Sequence, residues 1–267
     1  MNSTKLQRLH QIQVEILNEI VRICEANNLQ YFLIGGTLLG AIRHKGFIPW
    51  DDDLDIAMPR KDYEQFLEVC TNYLSEDYLL DDYKTNSKYW LPYAKVRKKG
   101  TIFEEGATVH IDTPKGIWVD VFPLDNVKHQ WSLAQMIQAL LVRVLRFNIS
   151  VKQGVNIPRT SLKKLARAIL SPLGIETSFK LLNRVMSFWA DEECEYFVNL
   201  GSQYGYKKQT IHKSRYLPAV KAEFEGASYC VPGDYDYVLS RIYGDYMVMP
   251  PQEARVTHNP VRLDLGS

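Results

Sequence analysis

Four cysteines in 267 residues, Cys24, Cys70, Cys194 and Cys230, are too few and too widely spaced for a disulfide framework. None forms a CxxC pair and no histidine stands at zinc-ligand spacing from them. Buried reduced thiols are therefore the reading. Long apolar runs are missing as well. No stretch approaches the ~20 apolar residues that a bilayer span requires, and the opening MNSTKLQRLHQIQVEILNEI has no apolar leader core. A cytoplasmic location is the expectation. An excess of one charge is also absent: 32 Lys and Arg against 31 Asp and Glu leave a net charge of +1. The chain thus lacks the electrostatic footprint of a general nucleic-acid binder. The P-loop and dinucleotide fingerprints do not occur in their required forms, which argues against P-loop kinases and dehydrogenases.

What is present is an ordinary globular composition, 46% hydrophobic and 24% charged. Residues 1–267 are read as a single domain without internal repeats. Leu6, Leu9, Ile12, Ile16, Ile20 and Ile23 recur at helical spacing and predict a first helix ending near Asn27-Asn28. Tyr31 to Ile34 reads as a short buried strand entering a Gly35-Gly36 turn, with Thr37 capping a short helix to Arg43. Asp53 to Met58 predicts a strand and Pro59 to Leu74 a helix. Strands are expected in WLPYAKVRK, TIFEE and GIWVDVFPLD. Residues 128–198 read as a helical insertion, with basic residues scattered among Leu, Ile, Val and Phe. The fold class is α/β (α+β): a mixed-sheet core carrying that insertion.

The stretch Asp51-Asp52-Asp53-Leu54-Asp55 places four carboxylates in five residues, bracketed by Ile48 and Trp50 on one side and Ile56 and Met58 on the other. Acids embedded in apolar sequence are costly unless they are paired or bind a cation. On a strand, Asp53 and Asp55 project to one face, a metal-ligand geometry that suits Mg²⁺, with Mn²⁺ as an alternative. A calcium loop fits poorly, because the sixth position is Ile56 and the twelfth is Asp62. Gly35, Gly36 and Thr37 open a helix N-terminus that can approach a phosphate, and Arg43, His44 and Lys45 can neutralise further oxygens. Asp120, a lone acid in the apolar run GIWVDVF, is the third metal candidate. Asp125 follows Pro123 in an expected turn and is the weaker choice. Lys95 and Arg97 alternate on one strand face and could hold a pyrophosphate. Asp245 in YGD and His258 are lesser candidates, the histidine being read as an exposed loop residue. Together these features describe metal-assisted transfer of a phosphorus group from a nucleotide.

The segment GGTLLGAIRHKGFIPWDDDLDIAMPRKDYEQF closely resembles the hallmark of the LicD family, phosphocholine transferases related in this segment to fukutin-related phosphotransferases. YAKVRKKGT, WVDVFPLD and YGDYMVMPP extend the resemblance more loosely. The family implies a core similar to that of polymerase-β-like nucleotidyltransferases. It also implies transfer of phosphocholine from CDP-choline to a sugar hydroxyl of a cell-surface glycan precursor, teichoic acid or lipopolysaccharide, with release of CMP. Carried onto this chain, Asp53, Asp55 and Asp120 bind the metal, and Asp51 or Asp120 accepts the hydroxyl proton. The zinc-binding cysteines of the fukutin-related proteins have no counterpart. Other CDP-alcohol donors, a nucleotidyltransferase and a non-catalytic glycan-binding module are the alternatives. A quaternary ammonium would be held by aromatic faces, for which Trp90, Tyr93 and Trp118 are expected. A lipid-carried acceptor would suit peripheral contact of the basic insertion with the inner face of the cell membrane.

Overall fold

The computed structural model describes residues 3–155, 160–255 and 257–266. The first helix, α1 (Ser3–Ala26), buries the expected stripe, Leu9, Ile12, Ile16, Ile20 and Ile23, against the sheet. Gln13 lies within that buried stripe, and its Nε2 donates to the carbonyl of Asp52 at 3.0 Å. His10 makes the neighbouring bond to the carbonyl of Asp51 at 2.8 Å and stacks on Phe47. The first helix therefore holds the acidic loop by its backbone.

The chain continues through β1 (Phe32–Leu33), α2 (Gly35–His44), β2 (Asp55–Pro59), α3 (Arg60–Tyr73), β3 (Tyr78–Asp81), β4 (Ala94–Lys98), β5 (Ile102–Glu104) and β6 (Trp118–Val127). Two details differ from the sequence reading. Gly35 and Gly36 are the first turn of α2 and not a turn before it, and Thr37 does not cap that helix. Its hydroxyl accepts instead from the Asp55 N–H at 2.8 Å, tying α2 to the start of β2. The strand begins at Asp55, because the backbone of residues 51–54 is irregular.

The main sheet runs β1-β2-β6-β4-β3. The β2–β6 pair is parallel and the others are antiparallel. β6 is ten residues long and serves two neighbourhoods: its first half pairs with β4, and its last three residues pair with a later strand. The next elements are three helices, α4 (Leu133–Lys152), α5 (Ser161–Leu170) and α6 (Ile175–Met186). The helical run ends at Met186. β7 (Tyr196–Val198) then returns to the sheet beside Asp125–Val127 of β6. α4, α6 and β7 enclose a second apolar cluster centred on Val142, Ile149, Phe179, Leu182 and Met186. The chain closes with α7 (Tyr206–Gln209), β8 (Thr210–His212), the β9 (Val220–Phe224) and β10 (Ala227–Val231) hairpin, α8 (Tyr235–Tyr243) and β11 (Arg262–Asp264). β11 pairs with β5, so the C-terminal segment crosses back over the sheet after Pro250-Pro251. The architecture is mixed α and β, as expected.

Asp125 is not a turn residue. It is wholly buried in β6 and its Oδ1 accepts from Arg60 Nε at 2.6 Å. This buried pair joins the start of α3 to β6 and occupies Asp125, the weaker of the two choices for a third metal carboxylate.

Candidate active site

The parallel register of β2 and β6 sets Asp55 directly beside Asp120. The antiparallel register of β6 and β4 sets Asp120 beside Lys95. Three charged residues therefore stand in one row across three strands, and the Lys95 ammonium reaches Asp120 Oδ1 at 2.6 Å. Asp53, just before β2, and Asp51, earlier in the same loop, complete a group of four carboxylates. Burial and the charges of Asp53, Asp120 and Asp51 push the Asp55 carboxyl well above the ordinary range. Burial together with Asp53, to which it is hydrogen-bonded, lifts Asp51 to about 8. Asp53 is raised chiefly by burial, against the attraction of His258.

Asp52 points the other way and is almost fully buried. Its carboxylate receives the backbone N–H of His258 at 3.0 Å and the ring N–H at Nδ1 at 2.8 Å. His258 is thus not a free loop residue. Its far nitrogen stands 3.8 Å from Asp53 Oδ2, and the bond to Asp52 raises the imidazole to about 9. Nothing local in the sequence signals this contact, because Asp52 and His258 are separated by 206 positions.

Two cavities meet at the carboxylates. The smaller, about 240 Å³, lies over β6 and is lined by Asp120, Tyr93, Phe122, Arg146, Asn199 and Tyr216 among others. The larger, about 550 Å³, lies over α2 and includes Gly36, Arg43, Trp50, Asp51, Tyr243 and Asp245. Gly35, Asp53, Asp55, Gln203, Tyr204 and His258 belong to both. No side chain caps the first turn of α2, where Gly35 takes a φ of +57°. A Cβ on Gly36 would stand 2.6 Å from Asp51 Oδ2. Gly36→Ala is accordingly expected to push Asp51 out of place and lower activity at least ~10-fold while the protein stays folded. Steady-state rates beside a thermal melt check this, and an unchanged rate would show that Asp51 has room to move.

Several expected site residues are engaged elsewhere. His44 and Lys45 line neither cavity: His44 accepts from Arg43 Nε at 2.9 Å, and Lys45 closes α2 in a left-handed conformation. Arg43 does reach the larger cavity, but its guanidinium also donates to the carbonyls of Tyr246 and Val248. Arg97 is buried against Asp81 at 2.6 Å and also donates to the Gly116 carbonyl. Trp118 is buried under Lys95 and Arg97, with Lys95 Nζ 4.0 Å from its ring, so its face is already covered by cations. Trp90 packs on the second apolar cluster. Of the expected aromatic group only Tyr93 faces a cavity. Tyr243, part of the YGD lesser candidate, lines the larger cavity, and Tyr204, Tyr216 and Trp50, which sequence reasoning did not propose for the site, supply the others.

Burial and crowding keep three of the four acids, Asp51, Asp53 and Asp55, protonated above the ordinary carboxylate range in the ligand-free protein. Among the described residues, no three His, Cys, Asp or Glu side chains are gathered so that they could hold a metal ion by themselves. An open arrangement of this kind suits Mg²⁺, which commonly takes one or two protein carboxylates and completes its shell with water and substrate phosphate.

The ligand-free protein has a predicted pH response. His258 and Asp51 both hold protons more tightly folded than unfolded, so each contributes stability at low pH that fades as pH rises. The imidazole contribution is complete below its unfolded value near 6.5 and is lost through about 9. The Asp51 contribution is lost on the way to about 8. The melting temperature in chelator should therefore fall from pH 6.5 to pH 9. A flat profile would contradict the shifted protonation of both groups.

The chain was compared with known proteins. It is 30% identical to the lipopolysaccharide cholinephosphotransferase LicD of Haemophilus influenzae over 268 aligned positions, covering 97% of each chain. The protein belongs to the LicD family. The family model described as LicD/FKTN/FKRP, nucleotidyltransferase domain, matches residues 28–139, which hold all four site carboxylates. Human ribitol 5-phosphate transferase FKRP is 44% identical over 48 residues, 18% of this chain and 10% of that protein. Mannosyltransferase regulator 4 of Saccharomyces cerevisiae is 28% identical over 113 residues, 39% of this chain and 9% of that protein. Among the described residues of this LicD-family chain, no helix is long and apolar enough to cross a membrane.

Proposed function

We propose that this LicD-family protein is a phosphotransferase that moves phosphocholine from CDP-choline to a sugar hydroxyl of a cell-surface glycan precursor, releasing CMP. The observation that carries this reading is the meeting of two cavities at one carboxylate group, which suits two substrates exchanging a phosphoryl group between them. The acceptor class follows the activity named for the Haemophilus relative, lipopolysaccharide, and extends to teichoic acid and to lipid-linked precursors.

In this reading the acceptor oxygen forms a bond to the phosphocholine phosphorus as the pyrophosphate P–O bond to CMP breaks, with the two oxygens in line. Asp53, Asp55 and Asp120 would hold Mg²⁺ or Mn²⁺, which when bound neutralises charge on the pyrophosphate oxygens. The open first turn of α2 directs backbone N–H groups to the same oxygens, with Arg43 at the edge of the cavity. Asp51, in its ionised form, takes the hydroxyl proton, since Asp120 is already held by Lys95. His258 keeps Asp53 in place from its anchor on Asp52. The choline trimethylammonium rests on tyrosine faces, with Tyr204 placed where the cavities join. The core is read as nucleotidyltransferase-like.

The relation to FKRP favours one second reading, CDP-ribitol as donor. The test is CMP release with Mg²⁺ and purified lipopolysaccharide or teichoic-acid precursor, comparing CDP-choline, CDP-ribitol, CDP-glycerol and CTP. CMP and a phosphocholine-bearing glycan from CDP-choline alone support the proposal. Turnover of CDP-ribitol alone moves the assignment to the second reading, and pyrophosphate from CTP would make the protein a nucleotidyltransferase.

A further inference from the structure

The N-terminal half of α4 is turned inside out for a helix of a globular protein, whereas its second half buries Val142, Leu145 and Ile149. Its buried positions near the N-terminus are polar, Gln135 and Gln138, while Leu133, Met136, Ile137, Leu140 and Leu141 face outward. Leu133 is 72% exposed and Leu140 is 59% exposed, and Trp131 just before the helix is also exposed. An ordinary surface helix shows the reverse arrangement.

The orientation is enforced by the inward polar groups. Gln138 Nε2 donates to the carbonyl of Val185 at 2.8 Å and reaches that of Met186, at the end of α6. Ser132 and Gln135 form a reciprocal capping box that fixes the start of the helix. Rotating α4 to bury its leucines would strand these glutamines and bare the carbonyls at the end of α6. The apolar face is therefore held outward by hydrogen bonds on the opposite side.

Charge indicates what covers that face. Residues 126–175 contain no Asp or Glu, in a chain that has 31 of them, but eight Lys and Arg. Arg143, Lys152 and Arg167 from this run are exposed, as is Lys207, whose ammonium lies 4.8 Å from the Trp131 ring centre. A second copy docking through the same patch would set cation against cation. An anionic bilayer surface offers the apolar depth and the opposite charge together. The helix also leads to the reaction site: Arg146, about 9 Å along the axis from Leu140, lines the smaller cavity.

We infer that the outward face of α4, with Trp131 and its flanking cations, is a docking surface for an anionic lipid bilayer. It places the catalytic cavity beside the membrane plane. The inference stands on the surface alone and does not depend on which substrate the site takes.

The test is flotation of the full-length protein with vesicles of pure phosphatidylcholine and of phosphatidylcholine containing phosphatidylglycerol, at low and high salt. The wild type is compared with Ile137→Glu/Leu140→Glu and with Arg143→Glu/Lys207→Glu, all at exposed positions, each melted first to confirm folding. The wild type should float with the anionic vesicles and release at high salt. Each double variant should bind at least ~10-fold more weakly at an unchanged melting temperature. Absence of flotation, equal binding by wild type and variants, or indifference to phosphatidylglycerol would overturn the inference. So would a concentration-dependent dimer in light scattering that Ile137→Glu/Leu140→Glu abolishes, which would make a second copy the occupant. Because binding is read without turnover, failure here is separable from failure of the donor assay.

Discussion

Asp55→Asn is expected to reduce transfer by about 10³-fold while raising the melting temperature of the metal-free protein. The loss follows from the position of Asp55, beside Asp120 in the parallel register, facing both cavities and sharing them with Asp53. The gain follows from electrostatics. The folded protein holds this carboxyl protonated to a pH well above its ordinary range, through burial and three neighbouring acids. Near neutral pH, ionisation of the unfolded chain therefore competes against folding. A neutral amide of the same shape removes that competition. Rates and melts on one preparation decide the matter. Inactivity with a lowered melting temperature would mean that Asp55 is a structural residue whose removal loosens the strand, and full activity would remove it from the mechanism.

The second large effect lies outside the cavities. Asp125→Ala should destabilise the protein by roughly 3–5 kcal/mol, because it leaves the Arg60 guanidinium buried without its carboxylate. Glu64, the other acid near Arg60, is about half exposed and stands on the same helix, so it cannot substitute for a buried partner. The double change Arg60→Met/Asp125→Leu should recover most of that loss, since neither charge then has to be desolvated. Urea denaturation measures both. Equal destabilisation of the single and double variants would show that the cost came from lost packing and not from an unpaired charge.

Much of the site was legible because it is local. Asp53, Asp55 and the α2 turn lie within 21 positions, and Asp120 stands out as an acid in an apolar strand. Their meeting depends only on β2 lying beside β6, and the observed register supplies it. The errors have different causes. A period of two puts Lys95 and Arg97 on one face, but it does not show that Arg97 has its own acid, Asp81, on the adjacent strand. Trp118 shares that face and is covered by the same two cations. A Gly-Gly pair reads as a turn, although here it begins a helix in which the Asp51 carboxylate stands where a side chain at Gly36 would go. The bond between Asp52 and His258 arises where the C-terminal segment returns over the loop, a contact that no short-range pattern carries. Asp125 seemed a turn residue because proline precedes it, whereas β6 runs straight through Pro123.

The hold of α1 on the acidic loop bears on how this domain is delimited. The family match begins at residue 28 and stops at residue 139. A fragment cut to those limits would lack His10 and Gln13, which donate to the loop carbonyls, and His258, which donates to Asp52. It would retain all four clustered carboxylates and none of these three groups that hold the loop. The matched segment is therefore smaller than the stretch of chain that shapes the loop, and an expression boundary drawn at its edges would isolate the carboxylates from their scaffold.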